Sequence, residues 1–208
     1  MRLIMPNLEP SWELSYILGA RYGDMSFCSG RAVVRLCNVK DEDFAGEFAY
    51  CLGKVMNNTY KVHYNGRHFT VATESRVLNE YLILPLEYQK TLIEHYPEAF
   101  IRGFFDSEGG TYGKGKQCVI KAYNTDIEIL KYIKTLVYIY FGIHSTIIEV
   151  NKKFLVGMTY YSKGGRVFTK RKRKYVLSIY RLSDKRIFAE QIGFSIYRKQ
   201  KTFDGGGV

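Results

Sequence analysis

The sequence predicts an α+β fold built from two units of the same order: helix, two strands, helix, two strands, helix. Three observations predict it. A helical segment with small residues one turn apart and a terminal acid occurs twice, an alternating strand ending in asparagine follows each copy, and an acidic helix start follows each strand. At 208 residues the chain can bury a substantial core shared by both units.

The first unit is expected over residues 8–90. Ser11 is a candidate N-cap for a helix whose face carries Leu14, Ile17, Leu18 and Tyr22, with Gly19 and Gly23 one turn apart and Asp24 directly after. "AVVRLCN" (32–38) alternates like a half-buried strand and closes on Asn38. "DEDFAGEFAYCLGKVM" then starts acidic and carries the stripe Phe44, Phe48, Leu52, which core packing explains. "YKVHYNGRHFTVATES" reads as a hairpin with a type I′ turn at Asn65-Gly66, and a short helix follows around Val77 to Leu84.

The second unit is expected over 97–203, the two meeting near 88–97. Pro97 opens its first helix, Gly103 and Ser107 repeat the small-residue spacing, and Glu108 stands where the first copy has Asp24, a separation of 84. "CVIKAYN" (118–124) repeats the strand at an offset of 86 and closes on Asn124. The next helix, "TDIEILKYIKTLVYIYFGI", has the stripe Ile127, Leu130, Ile133, Val137. A longer hairpin runs from "HSTIIEVNKKF" to "YVLSIYRL", a short helix covers about Asp184 to Ile192, and "FDGGGV" is expected to be a floppy tail.

Thirty-one Lys and Arg against twenty Asp and Glu give a formal charge of +11, which favours a polyanionic partner, nucleic acid first. No signal-peptide core opens the chain, and its longest apolar run, "LVYIYFGI", is too short for a bilayer. An intracellular protein is therefore expected, in the cytoplasm of a prokaryote or archaeon, or in an organelle. Cys28, Cys37, Cys51 and Cys118 lack metal-ligand spacing and read as free, partly buried thiols.

Why a basic chain ends both motif helices in acid is the informative question. Gly19/Gly23 and Gly103/Ser107 let two backbones approach closely, so the units can dock motif against motif. Docking crowds Asp24, Glu108 and the last helix carbonyls at negative helix ends, where like charges resist joint ionisation. A divalent cation resolves the conflict, and hard oxygen donors suit Mg²⁺, with Ca²⁺ or Mn²⁺ as substitutes in binding.

On these residues, "ILGARYGDM" (17–25) and "IRGFFDSEG" (101–109), the chain resembles the LAGLIDADG homing endonucleases in their single-chain, two-motif form, over nearly its whole length and including "IGFSIYRKQ". The resemblance implies two pseudo-twofold-related αββαββα units forming a saddle, with two central packed motif helices and antiparallel sheets facing DNA. It implies a monomeric, intron-encoded enzyme that hydrolyses both strands of a long DNA target with divalent metal. By position, Asp24 and Glu108 would hold the metal, with the carbonyls of Gly23 and Ser107 as further ligands. Lys199 would organise water, Asn38 and Asn124 would flank the active centres, and Gln89 or Lys90 is all the first half offers opposite Lys199. Met25, Arg21 and Tyr22 depart from the family pattern and bear on whether both centres are equally active. The alternative on the same fold is a protein that does not cut, either an RNA maturase acting on intron RNA or a DNA-binding regulator.

A two-stranded ribbon fits the major groove, so the outward rows of the alternating strands are the candidate readers of sequence. Val34, Leu36, Ile120 and Ala122 suit the core, leaving Val33, Arg35 and Cys37, and Gln117, Val119, Lys121 and Tyr123, facing out. Lys61, His63, His68 and Thr70 continue the row in the first half, and Ser178 and Tyr180 in the second. Lys170, Arg171, Lys172 and Arg173, in the run "TKRKRKY", would neutralise phosphates, which adds affinity without sequence choice.

Overall fold

The computed structural model describes residues 5–28, 32–113, 117–150, 156–161, 167–169 and 172–204. The chain opens with α1 (Trp12–Ala20), where the Ser11 hydroxyl caps the helix by accepting from the Leu14 N–H at 3.2 Å. β1 (Met25–Cys28), β2 (Val33–Val39), α2 (Glu42–Met56), β3 (His63–Tyr64), β4 (Phe69–Glu74) and α3 (Arg76–Leu82) complete the first series. A 3₁₀ turn (Leu86–Tyr88) and α4 (Lys90–His95) lead to the second. That series is α5 (Pro97–Glu108), β5 (Gly109–Tyr112), β6 (Val119–Asn124), α6 (Ile127–Phe141), β7 (Thr146–Val150), β8 (Thr159–Tyr161), β9 (Val167–Thr169), β10 (Lys174–Ile179) and α7 (Leu182–Ile187). One π-helical turn (Phe188–Ile192) and α8 (Tyr197–Asp204) end the description, and residues 205–208 of the expected tail lie outside it.

The repeat is visible in the topology. Two four-stranded antiparallel sheets have the orders β1-β2-β4-β3 and β5-β6-β10-β7, the same arrangement of first, second, fourth and third strand. The second series alone inserts a hairpin, β8 with β9, which the sequence pattern did not reveal.

α1 and α5 form the centre. From Leu14 to Ala20 every residue of α1 is buried, as a helix covered on all sides must be. The glycines make the crossing reciprocal: a Cβ on Gly19 would strike the Phe100 carbonyl oxygen, and one on Gly103 the Tyr16 carbonyl oxygen. α2 buries Phe44, Phe48 and Leu52 as expected. On α6 the stripe is displaced: Ile127 is only half-buried at the first position, and Ile129 and Leu136 join Leu130, Ile133 and Val137 in the core.

The first hairpin departs from expectation in its turn. Tyr64 pairs with Phe69, so residues 65–68 form a four-residue loop, and only Gly66 has positive φ, +87°, whereas a type I′ turn needs two such residues. The Asn65 side chain contributes to the difference, because its Oδ1 accepts from the N–H groups of Arg67 (3.0 Å) and His68 (2.9 Å), beside the backbone bond from the Asn65 N–H to the His68 carbonyl at 3.1 Å.

Candidate functional site

At the end of α1 the chain makes one more turn, residues 21–24, before β1, and Asp24 sits at that junction with its carbonyl accepting from the Cys37 N–H at 2.9 Å. Glu108 is the last residue of α5. The helix crossing brings these ends together: a Cβ on Gly23 would lie 2.5 Å from Ser107 Oγ and 2.9 Å from Glu108 Cγ. Electrostatics report the same crowding. Burial raises the Asp24 carboxyl to about 6, with Asp41 adding to the rise and Lys199 opposing it. Glu108 is pushed to about 7 by burial and then by the Asp24 charge, against the pull of Lys174 and Lys199.

Beside Asp24 opens a crevice of about 350 Å³. Lys40 and Asp41 line one side, Ser107, Thr111 and Tyr112 another, and Arg198 and Lys199 of α8 the third. Lys199 is buried, and its ammonium donates to the carbonyls of Asp106 (2.7 Å) and Phe105 (3.3 Å) in the last turn of α5, the second of which also accepts from the Gly109 N–H. Burial lowers its pKa to about 8, although Asp106, Asp41 and Asp24 oppose that change. At the equivalent place on the α1 side, Asn124 Nδ2 donates to the Tyr22 carbonyl at 3.0 Å. One motif end thus carries a buried ammonium and the other a neutral amide.

α8 is held from several directions. The Tyr197 N–H donates to Asp43 at 2.9 Å, Arg198 pairs with Asp41, and the Thr111 hydroxyl donates to Thr202 at 3.2 Å. Beneath it lies a polar cluster that sequence reasoning missed. The carboxylate of Asp106, 2% exposed, accepts from the Tyr16 hydroxyl (2.8 Å), the Ser195 hydroxyl (2.7 Å) and the Ser195 N–H (3.1 Å). These bonds tie α1 and α5 to the segment leading into α8, and so set where Lys199 enters. Its carboxyl is raised to about 6 because burial outweighs its donors. The available signal was an acid two residues inside the second motif, at a position the pattern otherwise buries.

The predicted sites divide clearly by location. Asp24, Ser107 and Lys199 line the crevice; Gly23 and Glu108 do not line it but meet each other and Ser107 at the helix crossing, and Asn124 lies against the first motif's end. Asn38 belongs to β2, but its side chain is outside the described residues. Gln89 and Lys90 are elsewhere. Gln89 is fully buried, accepting from Arg21 Nη1 at 2.8 Å and donating to the Tyr81 carbonyl at 2.9 Å, while Lys90 lies over the Tyr132 ring. The reason is Arg21: a guanidinium this deep needs acceptors, and Gln89 and the Leu84 carbonyl supply them.

On the first sheet Arg35 is exposed, between Ser26 and Ala72, and Cys37 is half-buried against the Ser26 hydroxyl. Val33 is a correction, since it is buried at 9% between β1 and β4 and offers no surface to a base. Lys61 and His63 are exposed, His68 and Thr70 half-buried, and His63 pairs across the ladder with Thr70. On the second sheet Gln117 is exposed, and Val119, Lys121 and Tyr123 are half-buried. Lys121 covers the Tyr112 ring, Lys174 covers Tyr123, and the two tyrosine rings meet edge to face. Ser178 is the second correction. It is fully buried in the central strand β10, flanked by Lys121 and Thr146, whereas Tyr180 just beyond the strand is half exposed. Lys172 and Arg173 are exposed, and Lys170 and Arg171 lie outside the described residues.

The donor set at the motif ends fits a hard divalent cation. Among the described residues no three His, Cys, Asp or Glu side chains gather as a metal group. Two carboxylates held above their ordinary ionisation range are the arrangement that a cation with retained waters would relieve. The sign of the pH dependence follows. Asp24, Glu108 and Asp106 bind protons more tightly folded than unfolded, so their contribution is fully present below about pH 4 and is lost progressively as pH rises from there through about 6 to 7. Melting in EDTA should therefore be lower at pH 7.5 than at pH 5. Mg²⁺ at a hundredfold excess over its Kd should restore about 2.7 kcal/mol, roughly 5 to 10 °C, at the higher pH. Glu108→Gln should remove that metal response, and an equal response in wild type and variant would refute the assignment.

Comparison with known proteins gives concordant findings. A profile of the LAGLIDADG-like domain matches residues 95–193. The uncharacterized protein MJ0398 of Methanocaldococcus jannaschii is 34% identical over 205 residues, covering 94% of this chain and 71% of that one. A mesophilic variant of the homing endonuclease I-DmoI superposes with a TM-score of 0.62 at 19% identity, over 93% of this chain and 97% of its own. I-DmoI in complex with DNA and Mn gives 0.61 at 19% identity, over 88% and 96%. Full-length DUF199/WhiA from Thermatoga maritima gives 0.59 at 17% identity, over 98% of this chain but 62% of that one. At these identities the structural likeness is one of fold.

Proposed function

Because the chain belongs to the LAGLIDADG family in its single-chain, two-motif form, we propose that it is a site-specific DNA endonuclease that hydrolyses both strands of a long target with divalent metal. One observation carries the proposal: the crossed motif helices deliver two acids, Asp24 and Glu108, to one place, where the Asp24 charge adds to the cost of ionising Glu108. The DNA and the Mn, Ca or Mg named for I-DmoI complexes support the choice of partner and ion.

In this reading the units 8–90 and 97–203 each present a sheet to the duplex, as a monomer. Asp24 and Glu108, with the carbonyls of Gly23 and Ser107, would hold Mg²⁺. Bound there, the ion would polarise the phosphodiester and stabilise the departing oxygen. Lys199 positions water at the end of α5, where its buried ammonium keeps a fixed direction by donating to the Asp106 carbonyl. Water attack opens the P–O3′ bond and leaves a 5′-phosphate and a 3′-hydroxyl. Arg35, His63 and Thr70 read one half-site, and Lys121 and Tyr123, with Tyr112 beside them, the other.

The second reading is a DNA-binding regulator that does not cut, favoured by the unequal surroundings of the two motif ends. Plasmids carrying the sequence that flanks the coding gene, joined without it, decide the question. Linear product with Mg²⁺ and none with EDTA is expected. Binding without strand breaks under both conditions would establish the regulator, and binding to the matching intron RNA instead would point to a maturase.

A further inference from the structure

The second helix of each unit begins at an aspartate, Asp41 for α2 and Asp126 for α6. Asp126 does what this position dictates: its Oδ1 accepts from the N–H groups of Glu128 (2.9 Å) and Ile129 (3.4 Å). Asp41 caps nothing. Its two carboxylate oxygens are taken instead by Arg198, from Nε at 2.5 Å and Nη2 at 2.7 Å. Both side chains line the crevice beside Asp24, with Lys40 and Lys199 as its other cations. The Arg198 side chain remains 62% exposed.

A guanidinium fork fits a phosphate as readily as a carboxylate. We propose that Arg198 is a phosphate-binding residue of the crevice, and that Asp41 occupies its fork until backbone phosphate of a DNA duplex displaces it. This rests on the DNA-binding part of the function above. The guanidinium is the open end of the pair, since Asp41 is only 17% exposed, so phosphate can approach Arg198 from solvent, and the released Asp41 can make the capping bonds that Asp126 already makes. α8 stays in place meanwhile, because Tyr197, Lys199 and Thr202 hold it through other partners.

The test is a double-mutant cycle on DNA binding, which needs no cleavage. Anisotropy of a mixed-sequence duplex is measured over a salt series, without divalent metal, for the full chain. Arg198→Ala should weaken binding roughly five- to tenfold and lower the salt slope by about one. Arg198→Lys should keep the slope while losing part of the affinity, which separates a lost fork from a misfolded chain. Asp41→Asn should tighten binding several-fold in the wild-type background and leave it unchanged when Arg198 is already alanine. An equal gain in both backgrounds would mean that Asp41 acts only as a distant negative charge, and the proposal would fall, as it would if Arg198→Ala left the salt slope unaltered. A wild type that binds duplex but never cuts refutes hydrolysis alone and leaves this cycle to stand on its own result.

Discussion

Glu108→Gln should reduce cleavage of the joined flanking sequence by about a thousandfold or more while leaving duplex binding intact or slightly tighter. The substitution keeps the shape of a side chain at the last position of α5 and removes only its charge. Asp24→Asn should act alike, because the two acids share one crowded place at the helix ends. The pair should be strongly non-additive, the double variant being little slower than either single one, as expected when two groups serve one step. Single-turnover rates beside anisotropy on the same duplex make the measurement. A Glu108→Gln protein that cuts at a tenth of the wild-type rate would remove this residue from the chemistry.

Gly103→Ala carries the largest expected effect on stability. A methyl there would drive into the Tyr16 carbonyl oxygen and the Ala20 nitrogen, and neither can rotate away as a side chain could. Gly19→Ala meets the same obstacle from the other side, at Phe100 and Phe104. Each should cost about 3 kcal/mol or more, at or beyond the upper end for overpacking, because whole helices must separate. Gly46→Ala is the control. It lies inside α2 with nothing within 4 Å of the added methyl, so it should gain up to about 1 kcal/mol from helix propensity. Urea midpoints at constant m-value measure all three. A Gly103→Ala midpoint equal to that of wild type would show that the helices do not cross as closely as described.

Much of the strand reading transferred to the structure because its period is two. Val34, Leu36, Ile120 and Ala122 are buried and Arg35 is exposed, as strict alternation requires. Alternation names a face and says nothing about what covers it. Val33 and Ser178 lie on the outward rows and are buried nonetheless, each between two paired strands. The turn at Asn65-Gly66 shows a second limit. The dipeptide marked a turn correctly, but the Asn65 side chain contributed to its width by bonding two backbone donors.

The candidate site divides along the same line. Its acids were legible because each terminates a repeated motif, and Lys199 through its place in "IGFSIYRKQ". Asp106, Tyr16 and Ser195 were not legible, since their partnership spans 90 and 179 residues of sequence and no local pattern records it. Gln89 stood at a position that suggested the crevice, yet Arg21, sixty-eight residues earlier, draws it inside.

By itself, then, the sequence determined the duplicated order of elements, the core faces and the two acids, because each follows from neighbours within a few turns of chain. Only the tertiary structure decided which polar groups far apart in sequence meet: Asp106 with Tyr16 and Ser195, Gln89 with Arg21, and Asp41 with Arg198. The physical reason is that leaving a buried charge or donor unpaired is costly, so most find a partner, and in a packed interior that partner is chosen by proximity in space, which residue spacing does not encode.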